Sequence, residues 1–208
     1  LFDEYADKFE SHLVQELKYS VPERLVALLR GIDRPDSKKW SVLDLGCGTG
    51  LLGAEVAPLA NRLVGVDLSS KMLAKACALN LYDRLAQMDL LEMMKNEAAE
   101  SYDVVTAADV FIYVGKLDAL FVEARRVLVP GGLLAFSVES LDAPAQDGVG
   151  DGAEDYRLES TGRYAHSMQY LRRLAGQCGF EVLVGSGIQV RLDQGKPIAG
   201  DLLILRCN

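Results

Sequence analysis

The sequence predicts an α/β protein: a mostly parallel sheet with helices on both faces. Three observations point to it. From Trp40 to about Val138, short apolar runs alternate with segments of helical periodicity, the pattern of strands joined by crossover helices. A glycine-rich turn, Gly46-Cys47-Gly48-Thr49-Gly50, stands between the first of those runs and the helix that follows. Two final strand-like segments, Phe180 to Val190 and Gly200 to Arg206, are joined by a link too short for a parallel crossover, so they pair antiparallel.

The elements follow in order. Phe2, Tyr5, Phe9, Leu13 and Leu17 recur at helical spacing and predict an N-terminal helix. Pro22 suits the first turn of a second helix ending at Gly31, with Leu25, Leu28 and Leu29 inward. Asp33 to Lys39 is a polar connector. Strands are expected at Ser41 to Leu45, Arg62 to Val66, Leu85 to Met88, Asp103 to Ala107 and Gly132 to Val138. Helices are expected at Leu51 to Leu59, from a cap at Ser69 or Ser70 to Leu79, and at Lys116 to Leu128, with a short one after the third strand. Pro130-Gly131-Gly132 reads as a turn. The polar segment around 141–157 reads as a mobile loop, with three glycines and four aspartates between Asp142 and Asp155. Ser167 caps a last helix to about Cys178.

A chain of 208 residues, half of them apolar, fits one domain. It divides into an N-terminal helical cap (1–38) and the sheet-bearing core (39–208). No apolar run approaches the roughly 18 to 20 residues that span a bilayer. A net charge of −8 disfavours phosphate backbones and anionic membranes as partners. Four scattered cysteines and two histidines are poor material for a metal site, and no metal is expected. They also suit a reducing cytoplasm better than a disulfide framework.

The glycine turn carries the most chemistry. Its spacing is G-x-G-x-G, whereas a dinucleotide fingerprint reads G-x-G-x-x-G and a P-loop ends in Gly-Lys-Ser/Thr. With no pyrophosphate to hold, the helix start is free to receive the carboxylate of an amino-acid-like ligand. Asp67 ends the second strand about where an acidic residue meets a ribose. Asp89 and Asp109 follow the third and fourth strands, so every candidate lies at the carboxyl ends of the strands, where open α/β sheets bind ligands.

Val42 to Gly50, Val64-Gly65-Val66-Asp67-Leu68-Ser69 and Val127-Leu128-Val129-Pro130-Gly131-Gly132 together resemble the class I S-adenosylmethionine-dependent methyltransferases. The resemblance covers the chain from about Trp40 onward and implies a Rossmann-like, seven-stranded sheet. It implies S-adenosylmethionine as cofactor and S-adenosylhomocysteine as product. It implies that Asp44, Gly46, Cys47 and Gly48 line the methionine part, that Asp67 holds the ribose, and that Leu68, Met72, Asp89 and Leu90 meet the adenine. Ala108 to Val110 would border the transfer centre, and Tyr5, on the N-terminal helix, would fold over the cofactor. The runs Phe2 to Leu13, Leu17 to Pro22 and Gly162 to Ser167 further resemble bacterial methyltransferases often fused to tetratricopeptide repeats. A repeat region before Leu1 would account for the absent methionine.

The implied reaction passes a methyl group to an oxygen or nitrogen of a small-molecule acceptor. Bases for it are sought among His12, Asp109, His166 and Glu139, and acceptor contacts at Tyr113 and Tyr164. Each has a plainer reading: a surface or capping histidine for His12, a loop role for His166 and Tyr164, packing for Tyr113, a loop brace for Asp44, a turn residue for Asp89. The competing function is a non-catalytic module that binds the cofactor as a sensor or assembly partner.

Overall fold

The computed structural model describes residues 19–32, 39–141, 154–193 and 195–208. The expected first helix, with Tyr5 and His12, lies outside the described residues, as do the connector at 33–38 and most of the expected loop, at 142–153.

The first described helix, α1 (Val21–Arg30), carries Pro22 in its first turn and buries Leu25, Val26 and Leu29. Next come β1 (Trp40–Leu45), α2 (Leu51–Val56) with a 3-10 turn over Ala57–Leu59, β2 (Ala60–Asp67) and α3 (Ser70–Ala78). The Ser69 hydroxyl caps α3 by accepting from the Met72 N–H at 3.2 Å. Then follow β3 (Arg84–Gln87), α4 (Leu90–Asn96), β4 (Tyr102–Ala107), a 3-10 turn over Phe111–Tyr113, α5 (Asp118–Val127) and β5 (Leu128–Ser140). The chain closes with β6 (Tyr156–Leu158), β7 (Tyr164–His166), α6 (Met168–Gln177), β8 (Phe180–Asp193) and β9 (Lys196–Cys207).

The sheet runs β3-β2-β1-β4-β5 with parallel pairing. β9 continues it antiparallel to β5, and β8 lies outside β9. These are the seven strands expected. Among the described residues the sheet has nine, because the β6–β7 hairpin docks on the last residues of β5, beyond the end of β4. Strands of three residues are too short to show alternation, so Tyr156 and Arg157, expected within the loop, belong instead to a strand. β8 and β9 also run longer than expected and close in a tight hairpin at Gly195 (φ 77°).

Alternate strand residues feed two cores, one on each face. Val42, Val104, Leu133 and Ala135 pack with Leu25, Leu29, Leu52 and Val56 of α1 and α2. Leu43, Leu45, Val105 and Phe136 pack with residues of α4, α5 and α6 such as Met93, Phe121 and Leu171. The sheet, held from both sides, is a fixed platform for the loops at its carboxyl edge.

Candidate functional site

The turn between β1 and α2 sits at that edge. Gly46, Gly48 and Gly50 all have left-handed backbone, with φ of 63°, 55° and 94°. The Gly48 N–H donates to Asp67 Oδ2 at 2.9 Å, and the Ser69 N–H donates to Oδ1 at 2.8 Å. Asp67 therefore ties the glycine turn to the start of α3, and each oxygen keeps a further lone pair for an incoming hydroxyl. A Cβ at Gly48 would meet nothing within 4 Å, so the backbone there faces open space. Thr49 Oγ1 is buried beside it with no protein partner. An open backbone and an orphaned hydroxyl next to a carboxylate fit the amino-acid and ribose ends of a nucleoside-linked amino acid.

Asp44 behaves differently from the expected brace. It is buried, and its Oδ2 accepts from the Tyr82 hydroxyl at 2.7 Å while Oδ1 accepts from the Thr106 hydroxyl at 3.0 Å. Burial pushes its carboxyl up to about 6, against the pull of those two hydroxyls. Cys47 is buried, and burial holds its thiol well above the usual range, which leaves a small apolar residue rather than a nucleophile. Leu68 is 63% exposed directly after Asp67, an apolar surface beside that carboxylate, with buried Met72 in the first turn of α3. Asp89 caps α4: its Oδ1 accepts the N–H groups of Leu91 and Glu92 at 2.8 and 3.2 Å. This is the turn role, and Asp89 stays exposed with Leu90 half-buried at the same corner.

Just past the fourth strand come half-buried Ala108 and Asp109, whose φ of 59° is strained for a residue with a side chain. Ser137 Oγ on β5 accepts the Asp109 N–H at 2.8 Å. Arg191, on β8, forks onto both Asp109 oxygens at 3.1 Å and also pairs with Glu139 of β5. Arg191 is 2% exposed, with its Nε unpartnered, and a register shift between Gln189 and Arg191 re-aims the strand there. Burial raises the carboxyls of Asp109 and Glu139, and the guanidinium between them opposes the rise. Both candidate bases are committed to this ion triad.

His166 is likewise structural. It is fully buried on β7, and its Nε2–H is shared by the carbonyls of Val114 and Gly115 at 3.0 and 2.9 Å. Burial lowers its basicity, and Nδ1 is enclosed without a partner. The ring stacks on Tyr170, whose hydroxyl accepts the Leu117 N–H and donates to Asp118. His166 and Tyr170 thus fasten the β4–α5 loop, with the rings of Tyr156 and half-buried Tyr164 pressed over Gly115. Tyr113, on that loop, is 47% exposed. Tyr82, Thr106 and Arg191 escaped sequence reasoning because none lies in a motif. No group of metal-ligating side chains occurs among the described residues.

Comparison with known proteins gives this geometry a family. Residues 43–136, from β1 into β5, match the family model described as "Methyltransferase domain". A ubiquinone biosynthesis O-methyltransferase of Thiobacillus denitrificans is 30% identical over 150 residues, covering 67% of this chain and 64% of that protein. A malonyl-[acyl-carrier protein] O-methyltransferase of Halalkalibacterium halodurans is 34% identical over 133 residues, covering 60% of this chain and 48% of that protein. The chain thus spans less than two thirds of the length of either relative. A solved S-adenosylmethionine-dependent methyltransferase of Methanosarcina mazei superposes with a TM-score of 0.68 at 18% identity, over 86% of this chain and 96% of that one, which shows the shared fold. Residues 43–136 thus carry a methyltransferase domain, set in a Rossmann-like fold that the chain shares with solved S-adenosylmethionine-dependent methyltransferases.

Proposed function

We propose that the protein transfers a methyl group from S-adenosylmethionine to an oxygen or nitrogen of a small-molecule acceptor. The observation that carries this reading is the open backbone at Gly48 between the orphaned Thr49 hydroxyl and Asp67, at the carboxyl edge of the sheet. In this reading Asp44, Gly46, Cys47 and Gly48 flank the methionine part, and Asp67 takes the ribose hydroxyls. Leu68, Met72, Asp89 and Leu90 surround the adenine. Ala108 borders the transfer centre, Tyr5 closes over it, and Tyr113 and Tyr164 lie toward the acceptor. Residues 1–208 form one domain, with 1–38 as a cap. The chain belongs with the methyltransferases often fused to tetratricopeptide repeats, works in the cytoplasm and does not bind nucleic acid. Both relatives are O-methyltransferases by name, which favours an oxygen acceptor.

When bound, the cofactor supplies an electrophilic methyl on a sulfonium, so the protein's work is to position and desolvate. Asp67 and the glycine turn hold one side of the site. The loop after β4, strained at Asp109 and clamped by Arg191, presents the other. Gly46 and Val110 bring these two loops into contact: a Cβ at Gly46 would stand 2.5 Å from Val110 Cγ2. With Asp109, Glu139 and His166 all engaged by protein partners, His12 is left as the base candidate from the sequence. An acceptor ionised at neutral pH needs no base. The same engagement favours the second reading, a module that holds the cofactor without turnover. Incubation with methyl-labelled S-adenosylmethionine and a panel of phenols, carboxylic acids and amines separates the two. Label appearing in an acceptor, with S-adenosylhomocysteine released, is the expected result. Binding without transfer to any acceptor class would favour the module.

A further inference from the structure

Tyr82 lies just before β3, outside every motif, yet the cofactor turn is built around it. Its ring fills a slot shaped by glycines. A Cβ at Gly53 of α2 would stand 2.1 Å from its hydroxyl oxygen, and one at Gly65 of β2 would stand 2.8 Å from its Cε1. Both are far inside van der Waals contact, so the ring keeps Gly53 free of a side chain and shares that task at Gly65 with Leu85 and Cys47. Gly50, which opens α2, borders the same ring, a Cβ there standing 3.4 Å from Cε2. The slot delivers the hydroxyl to Asp44 Oδ2 at 2.7 Å, and Thr106 takes the other oxygen at 3.0 Å.

The groups facing Asp44 come from several elements. Asp67 of β2 opposes its ionisation, and the hydroxyls of Tyr82 and Thr106 of β4 favour it. Cys47 of the turn and Tyr19, ahead of α1, also feel its charge, and burial keeps both protonated. Burial likewise holds the Tyr82 phenol far above its usual range, so it is always a donor. A buried carboxylate that receives two fixed hydroxyl donors is held in one orientation and keeps lone pairs for a cation.

We infer that Tyr82 is a positioning residue for the cofactor, holding the Asp44 carboxylate ionised and oriented to receive an α-ammonium group. The inference rests on the cofactor reading above. It is tested by calorimetric titration with S-adenosylhomocysteine between pH 5 and pH 8 for the wild type, Tyr82→Phe, Asp44→Asn and the double variant. Wild-type affinity should fall as pH drops through about 6, where Asp44 takes a proton. Tyr82→Phe, which keeps the ring, should lower affinity at pH 8 by about five- to tenfold and move the acid fall to higher pH. In the Asp44→Asn background the same change should cost less than about twofold, because the two act as a unit. An unchanged acid limb in Tyr82→Phe, or an equal loss in the Asp44→Asn background, would overturn the inference while leaving the cofactor reading intact. No binding by the wild type at any pH would overturn both. Should Tyr82→Phe fail to fold, Thr106→Val must shift the acid limb in the same direction, and a limb that stays put overturns the inference.

Discussion

Asp44 and Asp67 stand at the ends of neighbouring strands, but their surroundings give them opposite tasks. Asp67 accepts backbone N–H groups and stays half-buried, whereas Asp44 is enclosed and its carboxyl is pushed up to about 6 by burial. A carboxyl whose pKa is higher folded than unfolded adds stability below its unfolded value, and that stability is lost as pH rises through the folded value. For Asp44 the window lies between the ordinary 3.8 and about 6. The wild type should therefore gain on Asp44→Asn, which cannot titrate, as pH falls from 7.5 to 4.5. The gain, read from urea unfolding midpoints at each pH, should approach about 2 kcal/mol. A constant difference would show that Asp44 is ionised throughout. Cofactor affinity is expected to run the other way over the same range, so that acid favours the fold and disfavours the ligand. Asp67 was legible in the sequence because its spacing from the glycine turn is local to one βαβ unit. Tyr82 was not, since its partner lies 38 positions away and nothing near it repeats a known pattern.

At the scale of elements, the central strands were legible because residues buried on both faces make continuous apolar runs. Lengths were less so. The added residues, Arg191 to Asp193 of β8 and Lys196 to Ala199 of β9, pair with each other, and the β9 stretch is mostly exposed. Yet that extension delivers Arg191, which joins β8 to the end of β5 and to the loop after β4 across 82 positions of sequence. Removing one partner of a buried ion pair leaves the others uncompensated. Arg191→Met strands two carboxylates whose carboxyls burial already raises. It should destabilise the fold by about 3 kcal/mol at pH 8 and by less at pH 5.5, where protonation relieves them. Denaturant unfolding at the two pH values measures this. A loss under about 0.5 kcal/mol at pH 8, as for an exposed pair, would mean the triad holds nothing together.

Across the whole molecule, the sheet separates duties by end and by side. At its amino edge Glu97 gathers Arg84, Arg62 and the Tyr102 hydroxyl into a structural network. At its carboxyl edge, in the proposed reading, the β1 and β2 ends form the cofactor side and the β4, β5 and β7 ends the acceptor side. The glycine turn and the aspartate that ends β2 were legible in the sequence, because glycines and one aspartate at set spacing within a βαβ unit mark them. The acceptor side was not, because Asp109, His166 and Glu139 look like bases as residue types and become structural only once Arg191 and the Val114 and Gly115 carbonyls meet them. The central claim is that the glycine turn and Asp67 hold S-adenosylmethionine. Calorimetric titration of the purified chain with S-adenosylmethionine and S-adenosylhomocysteine, beside NAD and with Asp67→Ala as a second sample, addresses it directly. Micromolar binding of the first two, none of NAD, and a loss of about tenfold or more in Asp67→Ala are expected. Equal affinity in a folded Asp67→Ala variant, or binding of NAD in place of the sulfonium ligands, would contradict it.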